Sequence, residues 1–354
     1  MVTIKDIARE CNVSIATVSN VINGKNKVGA QTQKKVLEVI DKYGYKPNQV
    51  AKGLRSKRSG IIGIIVEDMA QFSTPDIVEG IMHHIEEYGY KSILINLRLY
   101  ARWSDTWFKD ESMLDMTIRQ SLSEISSMQA DGLIYVAVHA RDVQKIPSAI
   151  GIPAVMTYAH ELNPDIPSVM IDDERSSYEA MKYLLTKGHR QIAIVGGRED
   201  NLHTVLRLKG ARKAFAEYDL DIPEDRVIYG SWNRTDGYNA AKRLFEKDRK
   251  ITAVFCMTDR MAGGVYQYLH ENGLVIGRDC SVMGYDGQNI SQYFLPGLTT
   301  MALPLMQIGD VAARLLMEKI EGIDSNITPK NNVVAIPCEF IERDSVMDRF
   351  TDVD

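Results

Sequence analysis

The sequence predicts an all-α N-terminal module followed by an α/β body of two doubly wound parallel-sheet lobes. Apolar residues recur at helical spacing through roughly the first 45 residues. From Gly60 onward, short apolar runs alternate with amphipathic helical stretches, a pattern typical of parallel strands covered by helices. A weak internal repeat, Gly89–Ile93 echoed by Gly188–Ile192, precedes a strand in each case and indicates two similar lobes. With 354 residues, of which 45% are hydrophobic, the chain can bury two or three compact domains.

Charge is segregated along the chain. Residues 1–58 contain twelve Lys and Arg against four Asp and Glu, a net charge of +8. The remaining residues contain thirty against forty-three, a net charge of −13. A basic N-terminal segment on an acidic body is typical of a module that binds a polyanion, although a solvated basic surface would have the same composition.

The first 24 residues carry the start and stop signals of two short helices. Thr3 can cap the first helix, with Asp6 three residues on, and this helix is expected to end near Asn12. Ser14 can cap the second helix, which Gly24 stops. The inward-facing residues of the two helices are predicted to be Ile4, Ile7, Ala8, Cys11, Val18, Val21 and Ile22.

A third helix is predicted from about Ala30 to Tyr43, packing Val36, Ile40 and Tyr43 inward. Gly44 can end it in the left-handed conformation. The first two helices, separated by a very short turn, form a helix-turn-helix, whose second helix enters the major groove of DNA. The sequence therefore predicts a DNA-binding headpiece.

Three segments resemble the LacI/GalR family of bacterial transcription regulators, namely Val2–Ala8, Val13–Asn23 and Tyr45–Leu54. The resemblance continues through the body to about residue 346. It implies a body like that of type I periplasmic binding proteins, with the chain crossing between lobes near Tyr158, Asp286 and Gly322. The expected domains are a headpiece at 1–46, a hinge at 47–58, an N-terminal lobe at 59–158 plus 287–321, and a C-terminal lobe at 159–286 plus 322–346.

The resemblance also implies which headpiece residues contact DNA. Ile15, Ala16 and Asn20 occupy positions that select the operator sequence, and Thr17 assists them. The residues expected to hold phosphates are Thr3, Ser14 and Ser19. Physical chemistry agrees, because Asn20 can pair with adenine whereas Ile15 and Ala16 can offer only apolar contact, for example to a thymine methyl. Helix packing of Ile15 and Ala16, and a solvated Asn20, are the alternatives.

The hinge follows Pro47 as a stretch too short to persist alone as a helix and weakened by Gly53. The resemblance implies that two such hinges pair in the minor groove and that Leu54 wedges between base steps. The hinge residues predicted to contact DNA are Asn48, Ala51, Leu54 and Arg55. A plain flexible linker is the alternative.

Eight apolar runs predict the strands of the body, and ligands of such sheets bind beyond the carboxyl ends of strands. The runs are Ile61–Val66, Ser92–Leu97, Leu133–Val138, Ala154–Thr157, Val169–Ile171, Ile192–Val195, Ala253–Cys256 and Ser281–Gly284. A cleft between facing lobes is therefore the expected site for a small-molecule effector.

Eight residues are predicted to bind the effector: Ser73, Thr74, Tyr158, His203, Arg207, Trp232, Thr258 and Asp286. Ser73 and Thr74 stand at a helix start after the first strand. By resemblance, Arg207 pairs with ligand hydroxyls or carboxylates, Trp232 stacks on the ligand, and Asp286 accepts hydroxyls. A surface position for Arg207 and core packing for Trp232 are the alternatives, and Tyr158 and His203 could equally act behind the ligand contacts.

Departures from the family pattern limit what can be carried over. Thr258 stands where an asparagine is usual, and Gly287 replaces a common second aspartate. The segment from Leu99 to about Gln120 is longer than usual and aromatic-rich, so a pocket lid, an added dimer surface or a local packing cluster are equal alternatives.

Other classes of protein fit the sequence less well. Motifs for phosphate loops, zinc proteases and serine hydrolases are missing from the sequence, so an enzyme is not expected. An exported solute-binding protein would need a secretion signal, whereas Met1–Asn12 is polar and amphipathic, so a cytoplasmic location is expected. Four scattered cysteines argue against disulfides and a zinc site, and no cofactor or metal is expected.

The sequence thus predicts an operator-binding regulator, most simply a repressor, that acts as a homodimer and responds to a small effector. A sugar or sugar derivative is the preferred effector, with a purine or a protein co-regulator as alternatives. The sequence decides neither the identity of the effector nor whether it induces or corepresses.

Overall fold

The computed structural model describes residues 2–22, 24, 27–45, 58–104, 111–143, 151–161, 163, 165–323 and 332–349. The chain forms two compact units, Met1–Gly60 and Ile61–Asp354. We refer to them as the N-terminal unit and the body.

The N-terminal unit contains helices α1 (Ile4–Cys11), α2 (Ile15–Ile22) and α3 (Ala30–Tyr43). These bounds confirm the helices predicted from the sequence. The buried residues at its centre are Ile7, Ala8, Cys11, Val18, Val21 and Val36.

Two left-handed residues set the ends of the outer helices in this unit. Asn12 ends α1 with φ 54° and Gly44 ends α3 with φ 55°. The prediction that Tyr43 packs inward is wrong, since its side chain is 40% exposed. The reversal at Gly44 instead brings Tyr45 back onto the core, with the Tyr45 N–H donating to the Ile40 carbonyl at 3.0 Å.

The body contains two six-stranded sheets, which confirms the predicted class of two doubly wound lobes. The strands of the first sheet are β1 (Ile61–Val66), β2 (Lys91–Asn96), β3 (Gly132–Val136), β5 (Ala154–Thr157), β7 (Ser168–Ile171) and β13 (Val333–Ile336). The sheet is entirely parallel, in the order β13-β7-β5-β3-β1-β2. Its helices are α4 (Thr74–Glu87), α5 (Leu99–Trp103), α6 (Glu111–Ser127) and α11 (Leu305–Glu321).

The strands of the second sheet are β8 (Ile192–Gly196), β9 (Val227–Tyr229), β10 (Ala253–Cys256), β11 (Ser281–Asp286), β12 (Thr299–Ala302) and β14 (Glu339–Ile341). The sheet has the order β14-β12-β11-β10-β8-β9, and its edge strand β14 is antiparallel to β12. Its helices are α7 (Asp173–Thr186), α8 (Leu202–Ala216), α9 (Arg234–Lys247) and α10 (Asp259–Glu271). A separate two-stranded ribbon joins β4 (Asp142–Val143) to β6 (His160–Glu161).

The predicted lobe boundaries are wrong by one strand at each crossing. Strand β7 pairs with β5 in the first sheet, β12 pairs with β11 in the second, and β13 pairs with β7 in the first, so the chain changes sheets near residues 172, 303 and 337. The predicted crossings at Tyr158, Asp286 and Gly322 mark the ends of β5, β11 and α11 instead. Periodicity shows that a strand exists but not which sheet it joins. Leu303 and Cys338 lie at two of the crossings and pack against the cores of both lobes.

Three helix pairs in the body meet at glycines: α4 with α11, α7 with α8, and α9 with α10. A Cβ atom at Gly80, Gly210 or Gly237 would lie 2.0–2.1 Å from a carbonyl oxygen of the partner helix. The backbones of the paired helices are therefore in direct contact, and any side chain at these positions would force them apart.

Within the described residues, no helix is long and apolar enough to cross a membrane. The same residues contain no group of three or more side chains placed to hold a metal ion.

Candidate functional sites

The two sides of α2 differ in the way that a DNA-reading helix requires. Val18 and Val21 are buried against the core, whereas Ile15 is 38% exposed and Ala16 is exposed. Ile15 and Ala16 therefore do not pack in the core, contrary to the alternative considered from the sequence. Asn20 is half-buried on the same helix. The structure thus leaves Ile15 and Ala16 accessible, and their contacts with bases remain a prediction.

The N-terminus of α2 is suited to an anion. The Ser14 hydroxyl accepts the Thr17 N–H at 3.0 Å, as predicted for the cap, and lies 2.9 Å from the Thr17 hydroxyl. The first turn of α2 contains no acidic residue. The first N–H groups of a helix have no intrahelical acceptor and bind phosphates well.

Thr3 caps the N-terminus of α1, and both its hydroxyl and its backbone N–H are hydrogen-bonded there. Its hydroxyl donates to Asp6 Oδ2 at 2.6 Å, and its backbone N–H donates to the same oxygen at 2.9 Å. These hydrogen bonds lower the pKa of Asp6. A phosphate contact by the Thr3 hydroxyl would have to replace the bond to Asp6, so this contact and that of Ser19 remain predictions. The hinge residues Asn48, Ala51, Leu54 and Arg55 lie outside the described residues.

Arg207 is the centre of a polar cluster in the body. It is only 3% exposed, so its interpretation as a surface arginine is wrong. Its Nε donates to Asp173 Oδ1 at 2.7 Å and its Nη1 donates to the Met257 carbonyl at 2.6 Å. The guanidinium lies 3.7 Å from the centre of the Tyr285 ring. Asp173 of α7, Met257 directly after β10 and Tyr285 of β11 therefore fix the orientation of Arg207, which lies on α8.

Asp173 holds this cluster together, although it is not among the residues predicted from the sequence. Its carboxylate accepts from Arg207, from His203 Nδ1 at 2.6 Å and from the Tyr285 hydroxyl at 3.3 Å. Burial by itself would raise the pKa of Asp173, but the charge of Arg207 and the hydrogen bonds lower it to about 2. The available signal was its position, since it begins a helix two residues after a buried strand.

His203 connects the two lobes. Its Nδ1 donates to Asp173, and its Nε2 accepts the Ala140 N–H of the first lobe at 3.4 Å. The Tyr158 ring of the first lobe packs against His203 with a centroid distance of 5.4 Å. The structure thus brings together two predicted residues from different lobes.

Asp286 ends β11 beside Arg207, with 3.9 Å between its Oδ1 and Arg207 Nη1. Burial raises the pKa of Asp286 to about 8, although Arg207 opposes this effect. Near neutral pH the carboxyl group can therefore donate as well as accept, which suits a ligand hydroxyl.

Trp232 has φ 69° and lies with its ring directly over Gly197. A Cβ atom at position 197 would be 2.0 Å from the indole, so glycine is required there. The Trp232 ring centre is 5.8 Å from the Arg207 guanidinium, and the side chain is only half-buried while it contacts the core. Trp232 thus lies near Arg207, as a ligand-stacking residue should, and it also packs against the core, which was the alternative considered from the sequence.

Ser73, Thr74 and Thr258 are less closely tied to this cluster. Ser73 and Thr74 are buried at the start of α4, and the Thr74 hydroxyl has no hydrogen-bond partner within the described structure. The Thr258 hydroxyl accepts the Met261 N–H at 3.1 Å as the cap of α10. Thr258 follows Met257, whose carbonyl binds Arg207. The ligand contacts of all three residues remain predictions.

The aromatic segment after β2 packs locally where it is described. Tyr100 and Trp103 contact the core of the first lobe, and the Tyr100 N–H donates to Asp68 Oδ2 at 3.0 Å. Tyr100 also bonds to His139, in the loop that contains Ala140. These contacts support a packing role for α5. Trp107 and Phe108 lie outside the described residues.

A helix-turn-helix unit joined to a two-lobed body with a polar cluster between its lobes defines a DNA-binding transcription regulator. A profile of the bacterial regulatory proteins of the lacI family matches residues 3–48, and a periplasmic binding protein-like domain matches residues 181–346. The chain is 35% identical to Catabolite control protein A of Priestia megaterium over 334 residues, covering 92% of this chain and 95% of that protein. It is 31% identical to the HTH-type transcriptional repressor PurR of Vibrio cholerae, covering 98% and 99% of the two chains. The chain belongs to the LacI family of bacterial transcription regulators.

Solved structures confirm the fold. The lac repressor dimer bound to operator and the anti-inducer ONPF aligns with a TM-score of 0.77 at 24% identity, covering 98% of this chain and 99% of that one. A complex of the transcriptional regulator CelR with cellobiose aligns with a TM-score of 0.64, also at 24% identity, covering 98% and 100% of the chains.

Proposed function

We propose that the protein is a dimeric, operator-binding repressor whose affinity for DNA is controlled by a sugar or sugar derivative bound at the Arg207 cluster. The observation that carries the proposal is the buried set Asp173, Arg207 and Asp286, with Trp232 at its edge. Ligand binding would alter the contact between the lobes at His203, and through it the DNA-binding state of the dimer. Because its target is chromosomal DNA, the regulator would act in the bacterial cytoplasm.

The charges of the cluster favour an uncharged, hydroxyl-rich ligand. The positive charge of Arg207 is already offset by Asp173, and two of its nitrogens are used by Asp173 and Met257. A carboxyl group that is protonated near neutral pH can exchange hydrogen bonds with hydroxyls without a charge penalty. An indole face beside these groups suits the apolar face of a sugar ring. The structural neighbour CelR has been solved with cellobiose, which supports the same class of ligand.

Calorimetric titration of the full chain tests the ligand. Cellobiose and glucose represent neutral sugars, glucose 6-phosphate represents an anionic sugar, and guanine represents a purine that could also stack on Trp232. We expect binding by a neutral sugar, lost in Asp286→Ala, which removes the carboxyl group, and retained in Asp225→Ala, which removes an exposed carboxylate paired with Lys247. Binding of guanine alone, or equal binding by both variants, would refute the proposed ligand site.

Operator reading by α2 is tested separately. Duplexes are selected from a randomised pool with the full chain, and their affinity is measured by fluorescence anisotropy. We expect Asn20→Ala to cost about 1–3 kcal/mol of binding free energy and to relax the base preference at one position. Gln31→Ala removes an exposed polar side chain of α3 and is the control. A selected consensus that is unchanged for Asn20→Ala would exclude the residue from base recognition.

An apolar surface on the second lobe supports a dimer. Tyr293 and Leu295 are 74% and 90% exposed, beside a cavity of about 580 Å³ lined by Tyr266, Phe294 and Pro296. Exposed patches of this kind mark protein interfaces, and the lac repressor of the same fold has been solved as a dimer. We propose a second copy of this chain as the occupant. Analytical ultracentrifugation should show a dimer that Leu295→Asp dissociates, while Leu37→Asp, on the exposed surface of α3, leaves it intact.

A further inference from the structure

The turn after β11 places one residue, Gln288, within hydrogen-bond distance of two buried carboxyl groups. Asp286 has φ 103° and Gly287 has φ 67°, both in the region that favours glycine. A Cβ atom at Gly287 would lie 2.4 Å from the Ala302 Cβ on β12, so the turn is packed tightly against the neighbouring strand. A non-glycine residue held at positive φ stores strain, and such strain is concentrated at functional sites.

Gln288 binds both carboxyl groups from this turn. Its side-chain Nε2 donates to Asp286 Oδ2 at 3.0 Å. Its backbone N–H donates to Asp259 Oδ2 at 2.7 Å, while Asp259 Oδ1 accepts the Thr300 hydroxyl at 2.6 Å. One residue thus connects the carboxyl group beside Arg207 to a second buried carboxyl group at the start of α10.

We propose that Gln288 is a positioning residue of the ligand site, which fixes the orientation and the charge state of Asp286. With Oδ2 held by Gln288, Oδ1 is the oxygen that lies 3.9 Å from Arg207 and stays available for a ligand hydroxyl. This inference rests on the proposed function, because it takes the Arg207 cluster as the place where the ligand binds. The resemblance to the family did not point to position 288.

The charged and titratable neighbours of Asp286 explain why an amide matters there. Arg207 of α8 and Arg260 of α10 lower the pKa of Asp286, whereas Asp259 of α10 raises it. Burial and the charge of Asp286 in turn raise the pKa of Tyr158 in the first lobe. Burial raises the pKa of Asp286 to about 8 and that of Asp259 to about 7, and the bonds from Gln288 oppose both increases. An amide donor stabilises the ionised form of the carboxyl group, so its removal favours the protonated form.

The test is a pH titration of the Asp286 carboxyl carbon by NMR in the ligand-free full chain labelled with ¹³C-aspartate. Asp286→Asn assigns the resonance by its disappearance. Gln288→Met keeps most of the side-chain volume and removes the donor, and we expect it to raise the titration midpoint by about one pH unit, the scale of one hydrogen bond to a charged group. Gln120→Met removes an exposed hydrogen bond from the Gln120 side-chain amide to Glu124, and it should leave the midpoint of Asp286 unchanged.

Gln288→Ala provides a second variant if the methionine does not fit the turn, and it should produce the same upward shift. A midpoint that does not move in a folded Gln288 variant would overturn the proposal. Because no ligand is present in this titration, that result is separate from the calorimetric result for Asp286→Ala, which decides the proposed function.

Discussion

Single residues of the body site have charge states that depend on their neighbours. Asp173 and Asp286 are both buried beside Arg207, yet their pKa values move in opposite directions. Asp173 lies 2.7 Å from Arg207 Nε and accepts three hydrogen bonds, whereas Asp286 Oδ1 lies 3.9 Å from Arg207 Nη1. At Asp173 the ion pair and hydrogen bonds lower the pKa by more than burial raises it. At Asp286 the effect of burial is the larger one, so the pKa is raised.

The raised pKa of Asp286 makes a stability prediction. A carboxyl group with a higher pKa in the folded than in the unfolded chain favours folding below pH 4, and this contribution is lost as pH rises toward 8. Asn mimics the protonated form and cannot ionise. Asp286→Asn should therefore be more stable than the parent chain at pH 8.5, by about 1–3 kcal/mol, with a smaller gain at pH 6.

Urea denaturation of the full chain at the two pH values measures this difference. Asp225→Asn is the control, because the pKa of this exposed carboxyl group is lowered and the group is ionised at both pH values. A gain for Asp286→Asn that is the same at pH 6 and pH 8.5 would contradict the raised pKa.

Most residues of the body site, but not all, could be predicted from the sequence. Arg207, Asp286, Trp232, His203 and Tyr158 were predicted and lie together in the structure. Asp173 was not predicted, because its role depends on burial beside an arginine 34 positions away along the chain. The same limit applies to Gln288, whose contacts arise from an unusual backbone turn and not from a sequence pattern.

Elements of the body are held together at closely packed glycines, and the pair α9 and α10 provides a test. A Cβ atom at Gly237 would lie 2.0 Å from the Met261 carbonyl oxygen, so Gly237→Ala must separate the two helices. We expect a loss of about 1–3 kcal/mol in the free energy of unfolding, measured by urea denaturation. Asn239→Ala on the exposed side of α9 should change stability by less than about 0.5 kcal/mol. Equal stability of the two variants would show that the helices do not need this close contact.

Each of the eight predicted apolar runs overlaps a strand, whereas β12, β13 and β14 were not predicted, and neither was the pairing of the strands. The three helices of the N-terminal unit have the expected bounds because caps and glycines are local signals. The sheet membership of β7, β12 and β13 was wrong because strand pairing is decided by the whole body. Tyr43 was misplaced for a related reason, since the reversal at Gly44 gives the core position to Tyr45.

The whole molecule combines a basic DNA-binding unit with an acidic body whose polar cluster includes groups from both lobes. His203 accepts from Ala140 of the first lobe and donates to Asp173 of the second. A ligand that binds beside Arg207 would change this contact, so ligand binding and lobe arrangement are expected to be linked. Linkage requires that the ligand alter the affinity for DNA and that DNA alter the affinity for the ligand by the same factor.

The most direct test of this account is operator affinity with and without ligand, measured by fluorescence anisotropy on a selected duplex with the full chain. The ligand is the sugar that binds in the calorimetric titration, at saturating concentration. We predict that it changes the operator affinity of the parent chain by roughly 5–150-fold, the usual scale of such coupling, and leaves that of Asp286→Ala unchanged. Equal operator affinity with and without bound sugar in the parent chain would contradict the account.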